Sequence, residues 1–166
     1  SLVFIVGASA ASAQTAYADP AGRFSLDIPK NWSVISSAGG RLTIGTRSSQ
    51  VAVTFREDAS VDTVLSQLVE ETAKSWTRVT VTERSAVTTT GATGSVVIGT
   101  GVNPRSVPSI FRIAVVPLQG GILSIESAVP KEHYGLTRLA LENLEESVMA
   151  GVPVSPARTE PAVDRD

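Results

Sequence analysis

Cysteine is absent from the 166 residues. That removes thiolate catalysis, a Cys-ligated zinc site and any disulfide framework within the chain. Histidine occurs once, at position 133, so a transition-metal site would have to lean on carboxylates. Charge of either sign is sparse: 14 Lys and Arg stand against 16 Asp and Glu, a formal net of −2. Neither nucleic acid nor anionic lipid is therefore a default partner. No apolar run approaches the ~20 residues needed to span a bilayer. What is present is globular in kind. Hydrophobic residues make up 42% and charged residues 18%, enough apolar material for a chain of this length to bury a core unaided.

The ends differ from the middle. Leu2-Val3-Phe4-Ile5-Val6 is a short apolar run leading into Ala8-Ser9-Ala10-Ala11-Ser12-Ala13, and Ala11-Ser12-Ala13 fits the small-x-small cleavage pattern of a secretory signal. Residues 1–13 are thus expected to be the remnant of a signal peptide truncated at its front, with Gln14 the first mature residue. The protein is expected to be exported, to a periplasm or outside the cell. From 150 to 166, Gly151, Pro153, Pro156 and Pro161 among scattered charges predict a flexible tail. One structured domain is expected over residues 17–149.

Within it, Phe24, Leu26 and Ile28 alternate with polar residues in a strand ended by Pro29, and Asn31 suits a left-handed turn that folds Trp32 onto the core. Leu42 and Ile44, then Val51, Val53 and Phe55, predict two strands joined across Ser48-Ser49. A helix follows, with Ser60 as N-cap, Asp62 in the first turn, and Val61, Val64, Leu65, Leu68, Val69 and Trp76 at helical spacing. Four strands rich in Thr, Val and Ile come next, around 79–87, 95–99, 110–117 and 122–129. A three-residue loop Leu118-Gln119-Gly120 would set Ile113 opposite Ile125 and Arg112 opposite Glu126. A second helix is predicted from Pro130, burying Tyr134, Ala140, Leu141, Leu144 and Val148 and turning Arg138, Glu142, Glu145 and Glu146 to solvent. The order is β-β-β-α-β-β-β-β-α. Strands grouped in this way predict an α+β fold with a mainly antiparallel β-sheet flanked by helices.

The segment from Tyr17 to Trp32, with Gly22-Arg23-Phe24-Ser25-Leu26-Asp27-Ile28-Pro29 and then Asn31-Trp32, resembles the opening of PsbP-like and Mog1-like proteins. The closing hairpin and amphipathic helix are similar too, so the resemblance spans 17–149. Asn31 stands where many relatives carry Gly. The resemblance implies an α/β/α sandwich and a non-enzymatic binding role, in proteins ranging from photosystem extrinsic subunits to GTPase-binding factors and bacterial envelope proteins. No binding-site residue of any member matches here.

Candidate chemistry is thin. His133 lacks an accompanying Gly-x-Ser-x-Gly elbow and reads as a packing or capping residue on the apolar side of the second helix. Gly91, Gly94, Gly99 and Gly101 lack phosphate-loop spacing and read as turn and bulge residues. Glu142, Glu145 and Glu146 read as a solvated face rather than metal ligands. No catalytic, cofactor or metal site is expected. One surface stands out: with Ser48-Ser49 as a two-residue turn, Arg41 falls opposite Arg56 on the face that carries Arg47. Like charges so placed repel, and Arg41, Arg47 and Arg56 become candidate contacts to an acidic partner or anion.

The expected function is an exported, non-enzymatic binding or adaptor module acting through a protein partner, without nucleic acid or a membrane span. Three alternatives stay open: a carrier of a small apolar ligand between sheet and helix, a photosynthetic accessory subunit of the thylakoid lumen, and a hydrolase using His133.

Overall fold

The computed structural model describes residues 14–57 and 59–151. The expected signal remnant and nearly all of the expected tail lie outside the described residues. Five strands open the fold: β1 (Thr15–Ala18), β2 (Phe24–Ile28), β3 (Ser33–Ala38), β4 (Arg41–Gly45) and β5 (Gln50–Glu57). Helix α1 (Val61–Ser75) follows, then β6 (Thr77–Thr88), β7 (Thr93–Val102), β8 (Pro108–Leu118) and β9 (Gly121–Pro130). A 3-10 turn, Lys131–His133, leads into α2 (Tyr134–Glu146), and β10 (Met149–Ala150) closes the described chain. The fold is α+β, and the expected grouping of strands, helix, strands, helix is the one observed. Three short strands, β1, β3 and β10, add to it. Each is mostly exposed, so none carries the hydrophobic alternation that makes a strand visible in a sequence.

Two antiparallel sheets form. The larger has the order β3-β4-β5-β9-β8-β7-β6 and the smaller β1-β2-β10. Both faces of the large sheet are covered in its centre, so its strands are apolar on both sides there. On one face Val97, Phe111, Ile113, Val115 and Ile122 pack against Val64, Leu65 and Leu68 of α1. On the other, Val53, Val96, Ala114, Val116, Leu123 and Ile125 meet Leu141, Leu144 and Val148 together with Phe24, Leu26 and Ile28 of the small sheet. The result is three layers: helix, sheet, then helix with small sheet.

Helix α1 keeps the predicted limits because its N-cap is real: the Thr63 amide donates to Ser60 Oγ at 3.3 Å. Trp76, at its C-cap, meets Phe111 edge-on with ring centroids 5.6 Å apart. Helix α2 starts later than predicted, at Tyr134. Strand β9 runs through Pro130, still paired with Ser109, and the 3-10 turn intervenes. Asn31 does take the left-handed conformation, with φ of 71°, and Trp32 packs on the core.

The β8–β9 hairpin is one residue out of the expected register. Leu118 pairs with Gly121, so the loop is Gln119-Gly120, with Gly120 left-handed at φ 86°. Ile113 therefore faces Glu126, Arg112 faces Ser127, and Arg112 and Glu126 lie on opposite faces of the sheet. The pairing of Arg112 with Glu126 expected from charge is wrong. A register argument needs one polar face, and here both faces are roofed, so alternation did not discriminate.

Candidate functional site

Of the three arginines singled out by the sequence, the structure brings two together. Strands β4 and β5 are joined by four residues, Thr46–Ser49, not by Ser48-Ser49 alone. The Thr46 amide donates to Ser49 O at 2.8 Å, and Thr46 Oγ1 accepts from the Ser48 and Ser49 amides at 3.3 and 3.2 Å. That side-chain-closed loop shifts the pairing, so Arg41 lies opposite Thr54, with Arg56 two residues further along the same face. Arg47 sits exposed in the loop itself.

The charges of Arg41 and Arg56 both act on a residue the sequence reading set opposite Arg112 instead, Glu126 of β9, which pairs with Ala52. Its carboxylate is 3.8 Å from Arg56 Nη2. Burial pushes the Glu126 carboxyl up, while the positive charges of Arg41 and Arg56 pull it back. Arg56 Nε also donates to the buried Ser124 hydroxyl at 3.1 Å. Beside these side chains the hydroxyl of Thr54 is buried with no hydrogen-bond partner among the described residues. The group belongs to the half of the sheet away from α1, which packs on β6, β7 and β8. A cavity of about 320 Å3 lies there, lined by Arg41, Thr43, Gln50, Trp76 and Glu126 among others. The α1 face of the sheet is thus half roofed and half open, with two cations held about one carboxylate.

The opposite face carries a second polar constellation. Arg112 of β8 and Glu145 of α2 form a two-pronged ion pair, Nε to Oε2 and Nη2 to Oε1, each at 2.7 Å, and Arg112 Nη1 donates to Tyr134 Oη at 3.0 Å. The pair is buried, with side chains only 6% and 1% exposed. Burial pulls the guanidinium towards losing its proton, but the Glu145 carboxylate outweighs this and holds it above its ordinary value. Burial likewise pushes the Glu145 carboxyl up, against the pull of Arg112, with Glu142 and Glu146 adding repulsion. Glu145 is therefore not on a solvated face, as its helical angle beside Glu142 and Glu146 suggested. A signal was there: Arg112 interrupts the apolar run Ile110–Val116, and a charge in such a run demands a buried counter-charge.

Above this pair a cleft of about 550 Å3 separates α2 from β6. Its position, between sheet and helix, and its size match what an apolar-ligand carrier would need. Its lining does not, because Glu83, Arg112, Arg138, Glu142, Glu145 and Glu146 all face it. An apolar occupant would strip water from those groups without replacing their hydrogen bonds.

His133 neither packs nor caps. It is exposed in the 3-10 turn ahead of α2 and its side chain makes no capping hydrogen bond. Gly91 lies in the β6–β7 loop as expected, but the other three glycines have a different reason. Gly94, Gly99 and Gly101 are interior to β7, where an added Cβ would meet, respectively, the backbone of Val115, the ring of Phe111, and the neighbourhood of Trp76 and Thr77. Close approach, not turn geometry, selects glycine there.

Compared with solved structures, the chain is similar to the cyanobacterial PsbP of Synechocystis, with a TM-score of 0.59 at 11% identity over 89% of this chain and 98% of that one. It is also similar to LpqN of Mycobacterium tuberculosis, with a TM-score of 0.57 at 14% identity over 84% of this chain and 91% of that one. The fold is thus PsbP-like, as the opening motif implied. No protein-family model matches the chain, and no curated protein matches it in sequence.

Proposed function

We propose that this protein is an exported, non-enzymatic binding module that holds an acidic segment of a protein partner against the open half of its large sheet. The observation that carries the reading is the grouping of Arg41 and Arg56 about Glu126, a face with one positive charge in excess; Arg47 projects from the Thr46–Ser49 loop at the opposite end of the β4–β5 hairpin. Anchoring on a sheet makes such a face rigid before binding, which lowers the ordering cost of association. Further support comes from the fold. LpqN is described as involved in cell envelope biogenesis, and an envelope role for this chain agrees with the expected export signal. A non-enzymatic reading is also supported by His133, which is exposed and lacks a hydrogen bond from a Ser or Asp side chain among the described residues.

The test uses the protein immobilised and exposed to its native envelope extract. Replacing Arg41→Ser and Arg56→Ser together with Glu126→Gln removes the charges without leaving the half-buried carboxylate alone. A captured partner is expected to be lost while the melting temperature holds within a few degrees. Undiminished capture by the triple variant overturns the reading.

A further inference from the structure

A second surface, separate from the arginine face, has the form of a site for an extended peptide. Strand β6 ends the large sheet, and no described strand pairs with its outer edge. Exposed edges are ordinarily interrupted by bulges or kept short. Strand β6 follows that rule only in its first half, with irregularities between Thr77 and Thr80 and between Val81 and Glu83. From Glu83 to Thr88 its pairing with β7 runs unbroken, Glu83 with Ile98 through to Thr88 with Thr93. At the other end of the sheet, β3 is bulged between Val34 and Ser36.

The regular half of β6 is the half that the cleft follows. Residues 82–88, save Arg84, line it on one side, and Tyr134, Arg138, Glu142 and Glu146 of α2 line it on the other. Residues pairing with Val96 and Ile98 share their face, so Glu83 and Ser85 point to the α2 side. Arg112 forms part of the lining. It is 5% exposed and spends three hydrogen bonds on Glu145 and Tyr134. A guanidinium carries five N–H groups, so two donors remain on the cleft side.

Charge selects the occupant. Arg112 is neutralised by Glu145, and Arg138 is 3.5 Å from Glu142. Glu83 and Glu146 have no ion-pair partner among the described residues. Glu146 also sits at the C-terminal end of α2, where no basic residue offsets the helix dipole. The cleft thus carries an excess of negative charge beside unpaired strand backbone.

We propose that the β6 edge from Glu83 to Thr88, with the cleft beneath it, takes an extended, lysine- or arginine-bearing segment of a protein partner as an added strand. The backbone of β6 supplies the ladder hydrogen bonds. Glu83 and Glu146 receive the basic side chains on the α2 side.

The probe is a capped eight-residue peptide alternating Lys and Val, added to the intact protein and followed by amide NMR and hydrogen exchange. Expected are shifts confined to β6 and the C-terminal half of α2, slowed exchange of amides between Glu83 and Thr88, and weakening at high salt. A Glu83→Gln/Glu146→Gln variant, altered only at exposed positions, is expected to bind about tenfold more weakly. Equal binding of an alternating Glu and Val peptide overturns the proposal. So does binding of spermidine that competes with the peptide while β6 amides stay unprotected, which would mark a small-cation site instead. Because Arg41 and Arg56 lie on the other face, their triple variant is expected to bind this peptide normally, which separates failure here from failure of the arginine face.

Discussion

At the scale of single residues the most consequential feature is Arg112 with Glu145. A buried ion pair returns little net stability, because the desolvation of both charges offsets their attraction. Breaking it from one side is another matter. Arg112→Met would leave Glu145 buried at 1% exposure without its partner, and is expected to cost about 3–5 kcal/mol in chemical denaturation. Adding Glu145→Leu to the same chain is expected to recover most of that loss, since an apolar pair of similar volume needs no compensation. If the double variant is as unstable as the single one, the pair is doing something other than offsetting its own burial. Tyr134, which accepts from Arg112 at 3.0 Å, fixes the third side of the guanidinium and ties the start of α2 to the sheet.

At the scale of elements, the turn between β1 and β2 shows one carboxylate organising a corner. Asp19 Oδ2 accepts from the Arg23 amide at 3.0 Å and from Arg23 Nε at 2.7 Å, while Nη2 reaches Oδ1 at 3.1 Å. Gly22 is left-handed at φ 73°, and the guanidinium lies 4.9 Å from the centre of the Phe55 ring. The hydrogen bonds from Arg23 hold the Asp19 carboxyl below its ordinary 3.8. A folded-state value below the unfolded one means stabilisation that is present above about pH 4 and lost as the pH falls through the folded value. Asp19→Asn is expected to destabilise by about 1–3 kcal/mol at pH 7, and the gap to the native chain is expected to shrink in urea titrations below the ordinary carboxylate range. A gap of constant size down to pH 2 would mean that the charge of Asp19 contributes nothing. Elements of this kind were only partly legible. Ser60 and the spacing of α1 announced that helix in full, because both its cap and its apolar stripe are local. The Thr46–Ser49 loop was not legible, because a threonine hydroxyl closing a four-residue loop competes with a serine pair of equal turn propensity. Arg41 and Arg56 accordingly share a face without standing opposite each other, and Glu126, which comes from a strand some 70 positions beyond Arg56, was set by charge against Arg112 instead.

At the scale of the molecule, stability is expected to be distributed by how thickly each strand is roofed. Strand β9 lies between β5 and β8 in the large sheet. Both of its faces contribute to core clusters, Ile122 to one and Leu123 and Ile125 to the other. Strand β8 does the same with Ile113 and Ala114. At one margin, β3 is exposed at every position and bulged; at the other, β6 is exposed along most of its length. Opening a marginal strand uncovers little apolar surface, whereas opening β8 or β9 separates both cores at once. Native-state hydrogen exchange is thus expected to show β8 and β9 amides exchanging only through global unfolding, and β3 amides through local opening at much lower cost. The two chain ends of the described region modify this picture. Strands β1 and β10 both pair with β2, and the Gly151 amide donates to Arg23 O at 3.0 Å. Strand β2, whose Phe24, Leu26 and Ile28 all enter the α2-side core, is expected to rank with β8 and β9 rather than with the margins. Exchange of β2 as fast as β3 would show that the small sheet is a detachable cover over that core.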